Sequence, residues 1–172
     1  MALHAARSPR RRRLPVILAL VAVVAALGVA WVRVGDDLDR ARAVAHDRLA
    51  AVQAAKRYAL NLMAVDYRTV ERDVRRVMDT STGEAREQFA KDAENLKEAT
   101  LRNKAVKTGV VRAAGLASMN GQRSAARVLV VADSVIRWDE ARTAPQERFY
   151  RWNIEVTKVG QGWAASKLEL VE

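Results

Sequence analysis

Hydrophobic positions change their spacing twice along this chain. From Leu14 to Val32 they are unbroken, LPVILALVAVVAALGVAWV, with no charged residue and only the Trp31 indole able to form side-chain hydrogen bonds. As a helix, these 19 residues would span about 28 Å, close to the hydrocarbon thickness of a bilayer. From Asp36 to about Met63 the apolar positions recur at steps of three or four: Leu38, Ala41, Ala45, Leu49, Val52, Ala55, Ala59 and Leu62. That spacing predicts a helix over 36–63 with Arg40, Arg42, Asp47, Arg48 and Lys56 off its apolar stripe; the small residues of the stripe suit close packing on the domain's own sheet, which is favoured, or on another chain's helix. Asp36 and Asp37 suit the positive end of its dipole. Val65 to Thr69 breaks the pattern, and a short helix follows over 69–78, with Thr69 as N-cap and Asp73 in the next turn. Ser81 and Glu84 form a capping-box pair that predicts a third helix over 83–104, with Phe89, Ala93 and Leu96 facing inward. Glu87–Lys91, Glu98–Arg102 and Glu94–Lys97 are spaced as solvated helix pairs on its outer face.

After Lys104 the period falls to two, predicting strands over 106–119, 123–138, 147–159 and 163–171. Asn120-Gly121 reads as the hairpin between the first two, because both residues tolerate positive φ. On the second strand Val128, Val130, Ala132, Ser134, Ile136 and Trp138 alternate with Leu129, Val131, Asp133, Val135 and Arg137. On the third, Tyr150, Trp152, Ile154 and Val156 alternate with Arg151, Asn153, Glu155 and Thr157. Gly160-Gln161-Gly162 turns the chain into the last strand at Trp163, and Asp139 to Gln146 is the longest loop of the sheet. Three helices followed by four antiparallel strands give an α+β domain, helices on one face of a curved meander.

The flanks of the apolar run assign its orientation. Arg10, Arg11, Arg12 and Arg13 precede Leu14, and Arg33 follows Val32. By the positive-inside rule residues 1–13 are a basic cytoplasmic tail, 14–32 a single transmembrane helix in the plasma membrane, and 36–172 an extracytoplasmic domain. A cleaved signal peptide competes with this reading, since Gly28-Val29-Ala30 is a small-x-small triplet; the apolar run is longer than the usual h-region and favours an anchor. The net charge of +10 changes meaning accordingly, because the tail alone carries Arg7 and Arg10 to Arg13 and no acid. It directs the tail toward anionic lipid headgroups and gives no ground for a nucleic-acid partner. With no cysteine, disulfides and thiolate metal sites are excluded.

One order of motifs carries a resemblance. An anchor and an Ala-rich helix precede Asp66-Tyr67, then Thr82-Gly83 with Phe89 inside the next helix. Gly109-Val110-Val111, Val128 to Asp133 (VLVVAD) and Gly162 to Leu168 (GWAASKL) follow. From about residue 14 to 171 this resembles the Mce-associated membrane proteins, accessory subunits of the mammalian-cell-entry lipid importers of actinobacterial envelopes. The resemblance implies a nuclear-transport-factor-2-like cone, also found in the periplasmic domain of type IV secretion bridging subunits. It further implies a non-catalytic subunit that stabilises or assembles an Mce-type lipid or sterol importer, with importer subunits as partners and room for an oligomer. The alternatives it leaves are a periplasmic bridging component of a type IV secretion-like system and a direct lipid-binding domain.

The chemistry-bearing residues are few. His4 lies in the tail and His46 on the first helix; neither has a placed partner, and no Ser-His-Asp set, phosphate loop or metal spacing is present in the sequence. No catalytic residue, cofactor or metal is expected. Asp66 with Tyr67, or Asp133 in the sheet, would supply an acid and a phenol to a cone, against the plainer roles of a turn cap and of a cross-strand partner for arginine. Trp138, Tyr150, Trp152 and Trp163 are the expected cone lining or binding surface, against a plain core role.

Overall fold

The computed structural model describes residues 13–139 and 143–171. The chain divides into two compact units, Met1–Ala43 and Val44–Glu172. Arg10, Arg11 and Arg12 lie outside the described residues, as do the side chains of 13–18, 25, 26, 29, 30 and 32, so the expected anchor falls partly outside them too. Among the described residues no helix is long and apolar enough to cross a membrane.

Helix α1 runs without interruption over Arg13–Met63, joining the expected helices at 14–32 and 36–63 through Gly35. A single glycine among good helix formers costs about 1 kcal/mol relative to alanine, too little to end a helix. In the first unit the described apolar side chains from Leu20 to Leu38 are all more than half exposed.

In the second unit, which begins at Val44, the buried face of α1 keeps the later part of the expected stripe, with Ala55 and Ala59 buried and Val52 and Leu62 packed against the core, and departs from its earlier part. Asp47, Ala51, Ala54, Ala55, Tyr58, Ala59 and Met63 are buried, whereas Leu49 is 60% exposed and Ala45 is exposed. The expected stripe runs through Ala45 and Leu49 and passes over Ala51, Ala54 and Tyr58. The helix is rotated instead to put Tyr58, its bulkiest apolar residue here, into the core, with alanines around it allowing close approach of the sheet. Asp47, assigned to the solvent side by its charge, is buried because it has cationic partners: Lys158 Nζ at 3.0 Å and Arg123 Nη1 at 3.4 Å. The Lys158 hydrogen bond holds the carboxyl below its ordinary 3.8 against the upward push of burial, and the Lys158 and Arg123 charges act in the same direction. A depressed folded pKa means this contribution is complete above about pH 4 and is lost as pH falls through the depressed value. Lys158→Met should therefore flatten the acid limb of the urea-midpoint profile below about pH 4; an unchanged limb would count against the assignment.

After α1 come β1 (Val65–Asp66), α2 (Val70–Asp79) and α3 (Gly83–Arg102), then β2 (Ala105–Met119), β3 (Ala125–Trp138), β4 (Gln146–Val159) and β5 (Gly162–Leu170). The sheet is antiparallel with five strands in sequence order, one more than expected. β1 is two residues long, pairing Val65 with Lys107 and Asp66 with Val106, and two residues are too short to show a period. The remaining length of β2 has no further strand beyond it among the described residues. Register shifts at Arg112 and Ala117 in β2, and beside Ser166 in β5, mark bulges that curl the sheet.

The strand alternation holds. Val128, Val130, Ala132 and Ser134 of β3 and Trp152, Ile154 and Val156 of β4 face inward. They form one contiguous core with Trp163 and Ala165 of β5, Val77 of α2, Ala85 of α3 and the inner face of α1. Ala85, Phe89, Ala93, Leu96 and Thr100 make the buried or half-buried side of α3, as the spacing predicted. Glu94–Lys97 closes at 2.9 Å, and Lys97 also reaches Glu71 of α2 at 3.0 Å.

Two local signals resolve differently. The N-cap of α3 is Thr82 rather than Ser81. The Ser81 hydroxyl donates back to the Val77 carbonyl at 3.0 Å, finishing α2 instead. The segment is also stitched to β5: Thr82 N–H donates to the Ala165 carbonyl and Ala165 N–H to the Thr80 carbonyl. In the first hairpin the positive φ falls on Arg123 (+55°) and not on Gly121. Asn120 organises that loop, its carbonyl accepting Arg123 N–H and its side-chain oxygen accepting Ser124 N–H at 2.9 Å. The β4–β5 hairpin uses Gly160 at φ +57°, where a two-residue turn favours glycine at its first central position.

Candidate functional site

The expected site residues divide among three places. Asp66 and Tyr67 lie where β1 leads into α2. The Asp66 carboxylate accepts Arg68 N–H at 2.8 Å, forming an Asx turn, and Tyr67 donates its hydroxyl to Asp139 at 3.1 Å. Arg68 pairs with Asp139 and with Asp66, and its guanidinium lies 4.6 Å from the Tyr67 ring centre. These contacts tie the start of α2 to the end of β3.

Beneath this turn lies Asp73, which the sequence placed only as a first-turn acid. It is 2% exposed and accepts the Asp66 N–H at 3.0 Å and the Thr69 hydroxyl at 2.9 Å, with Arg76 as ion partner. Thr69 thus serves as N-cap by position, while its hydroxyl serves Asp73. A Thr-x-x-x-Asp spacing at a helix start was the available signal. The surface beside it, between Arg68, Arg72, Arg75 and Leu101, is a shallow groove of about 450 Å3.

The aromatic set is mostly filling rather than lining. Trp152 and Trp163 are buried members of the core, and Tyr150 stacks on Trp152 with ring centres 4.6 Å apart. Burial pushes the Tyr150 phenol up, but the Ser134 hydroxyl at 3.4 Å and the Lys107 ammonium, 5.1 Å from the ring, outweigh it and hold it below its ordinary value. Trp138, half-buried, borders a shallow cleft of about 480 Å3 with Thr143, Ala144 and Gln146.

Asp133 sits on the opposite, outer face of the sheet, paired with Arg112 Nε at 2.6 Å. Arg112 is the residue inserted at the first β2 bulge, which brings its side chain beside Asp133. Around this pair is a cleft of about 280 Å3 whose walls include Val110, Val135, Glu147 and Phe149. Phe149 is directly across from Asp133 on β4 and is 75% exposed; Val110, Leu129 and Val131 on the same face are each roughly half exposed. Arg127–Glu155 at 2.8 Å and Lys167–Glu169 at 3.1 Å stand on the same face. Apolar residues framed by ion-paired ones make this the surface with the composition of an interface. The alternation in β3 sets Leu129, Val131 and Asp133 on one face without saying which; the structure makes it the outer one, which corrects the expectation of Asp133 as an acid inside a cone and leaves Phe149 uncovered beside it. Among the described residues no group of three or more potential metal-ligating side chains is present.

Residues 13–172 match the family model described as "Uncharacterized protein Rv1363c/MT1408-like". The chain belongs to the Rv1363c/MT1408-like family. Rv1363c of Mycobacterium tuberculosis is 35% identical over 125 residues, covering 72% of this chain. The chain spans about half (47%) of that relative's length. Among solved structures, the periplasmic domain of DotI aligns with a TM-score of 0.58 at 16% identity, covering 70% of this chain and 91% of that one. An IcmL-like type IV secretion system protein of Legionella pneumophila aligns with a TM-score of 0.56 at 12% identity, over 70% of this chain and 88% of that one. Agrobacterium tumefaciens VirB8 gives 0.56 at 10% identity, over 74% and 93%. At these identities the likeness is one of fold: this Rv1363c/MT1408-like domain is α+β, with helices on a curled antiparallel sheet of the kind those proteins have.

Proposed function

We propose that this Rv1363c/MT1408-like protein is a non-catalytic, membrane-anchored scaffold, the bridging component of a multi-subunit envelope assembly. Leu14 to Val32 serves as the anchor, with Arg10–Arg13 cytoplasmic and the second unit extracytoplasmic; the uncharged run and its cationic flank support this. The observation that carries the scaffold role is the outer sheet face, where Phe149 stands 75% exposed beside the Arg112–Asp133 pair. A lone soluble domain has no reason to leave that ring in water beside three half-exposed aliphatic residues. The fold shared with DotI and VirB8 supports a bridging role in a secretion-like machine. A second reading, an accessory subunit of an Mce-type lipid importer, rests on the motif order that ends in Gly162 to Leu168.

Photo-crosslinking from the outer face tests this. A benzophenone side chain at Val131 of the full chain, activated in intact cells, should form a protein adduct. Phe149→Glu should reduce that adduct about tenfold, as loss of an interface anchor does, while shifting stability by less than about 0.5 kcal/mol. Adducts to secretion subunits support the bridging reading, and adducts to importer subunits the second one. Adducts to lipid alone, or none, would reject the scaffold.

A further inference from the structure

The stretch of α1 just beyond the apolar run is exposed on every side: all described side chains from Arg33 to Ala43 lie open to solvent. Its apolar residues are not scattered. Trp31, Val34, Leu38 and Ala41 follow a three-four-three spacing, and no other position from 33 to 42 carries an apolar side chain. Trp31 is 81% exposed, and Val34 and Leu38 are more than half exposed. Positions alternating by three and four form a narrow seam along one side of a helix, the pattern by which two helices interlock. An apolar seam left uncovered along one side of an otherwise polar helix calls for a second helix to cover it.

The charges beside the seam identify that helix. With Trp31 and Leu38 in the first core position of successive heptads and Val34 and Ala41 in the second, Asp37 immediately precedes a core position and Arg42 immediately follows one. In a parallel pair of identical helices in register, a residue at the first of these positions faces the residue five places later on the partner. Asp37 of each copy then faces Arg42 of the other, twice per dimer, with opposite charges. In the single chain these groups make only surface contacts within one helix turn, Asp37 with Arg40 at 3.2 Å and Asp39 with Arg42 at 3.4 Å, all about three-quarters exposed. Both are left available for a partner at little loss.

We infer that Trp31 to Arg42 is a parallel, in-register dimerisation seam between two copies of this chain. The inference rests on the anchor proposed above: two copies inserted with the same orientation are necessarily parallel. Confinement to one bilayer raises their effective concentration enough for a seam of about 17 Å to pair.

The absence of cysteine from the chain makes the test direct. Single substitutions Val34→Cys, Leu38→Cys and Ala41→Cys, with Asp36→Cys and Arg40→Cys as off-seam controls, are made in the full-length protein and oxidised in isolated membranes. Disulfide-linked dimer should peak at 34, 38 and 41, several-fold above 36 and 40. In the Leu38→Cys background, Asp37→Arg should lower the dimer yield about fivefold, and adding Arg42→Asp should restore it. A flat profile in protein that remains in the membrane pellet would reject the seam and leave the anchor standing. Protein found in the soluble fraction would reject the anchor, and the parallel seam with it. Dimer yield insensitive to both charge changes would overturn the register.

Discussion

Replacing Gly109 with alanine should destabilise the domain by about 3 kcal/mol, lowering the thermal midpoint by about 9 °C. The effect is unusual for an added methyl on a strand and follows from one close approach. A Cβ built on Gly109 would lie 2.4 Å from Met63 Cβ, 2.7 Å from its sulfur and 3.0 Å from its terminal methyl. Met63 is fully buried and ends α1, so Gly109 is where the helix end settles onto β2. Two of the three clashing atoms belong to a flexible thioether that can swing away; the nearest one is fixed to the helix backbone. Met63→Ala should therefore fail to rescue Gly109→Ala, because the Cβ remains. Urea unfolding of the full chain checks both, and a Gly109→Ala midpoint within error of wild type would show that α1 and β2 can separate freely here.

Tyr58→Ala should cost more, about 4 kcal/mol, as large-to-small changes do when the surroundings cannot collapse. Tyr58 is the largest of the fully buried side chains among the described residues, and its helix neighbours in the core, Ala51, Ala54, Ala55 and Ala59, are too small to fill the gap. Burial also pushes its phenol up to about 12. The unfolded phenol ionises near 10 and the folded one later, so wild-type stability should fall as pH rises across that interval, and Tyr58→Phe should lose that slope. A Tyr58→Ala variant that unfolds with wild-type urea dependence would place the ring outside the core.

Strand positions were easier to read than helix faces, and the reason is physical. Alternation along β3 and β4 sets bulky Val, Ile and Trp against Arg, Asn, Glu and Asp, so a one-residue slip would be visible at every position. On α1 the buried face is built largely from alanine, whose hydrophobic signal is weak, around Tyr58, Met63 and one acid; of the leucines in the pattern Leu62 packs against the core, while Leu38 and Leu49 are exposed. Asp47 and Asp73 were missed as buried groups because burial of a carboxylate depends on distant partners: Lys158 in one case and the Asp66 amide in the other. Phe149 was legible as an outward residue only after the register of β4 was known. The family match adds its own boundary: it assigns this chain to a lineage, and the secretion or importer role remains with the crosslinking test above.

The short reach of β1 has a consequence for how the domain behaves among its own kind. Beyond Val106 and Lys107, β2 presents a row of backbone donors and acceptors to whatever drifts past, the situation from which strand-by-strand fibrils grow. The irregularities at Arg112 and Ala117 interrupt that row about every five residues, so a straight incoming strand meets matching groups for only a few positions before its ladder falls out of step. The same kinks that curl the sheet around its core thus keep this edge from becoming a seed when copies of the domain crowd together.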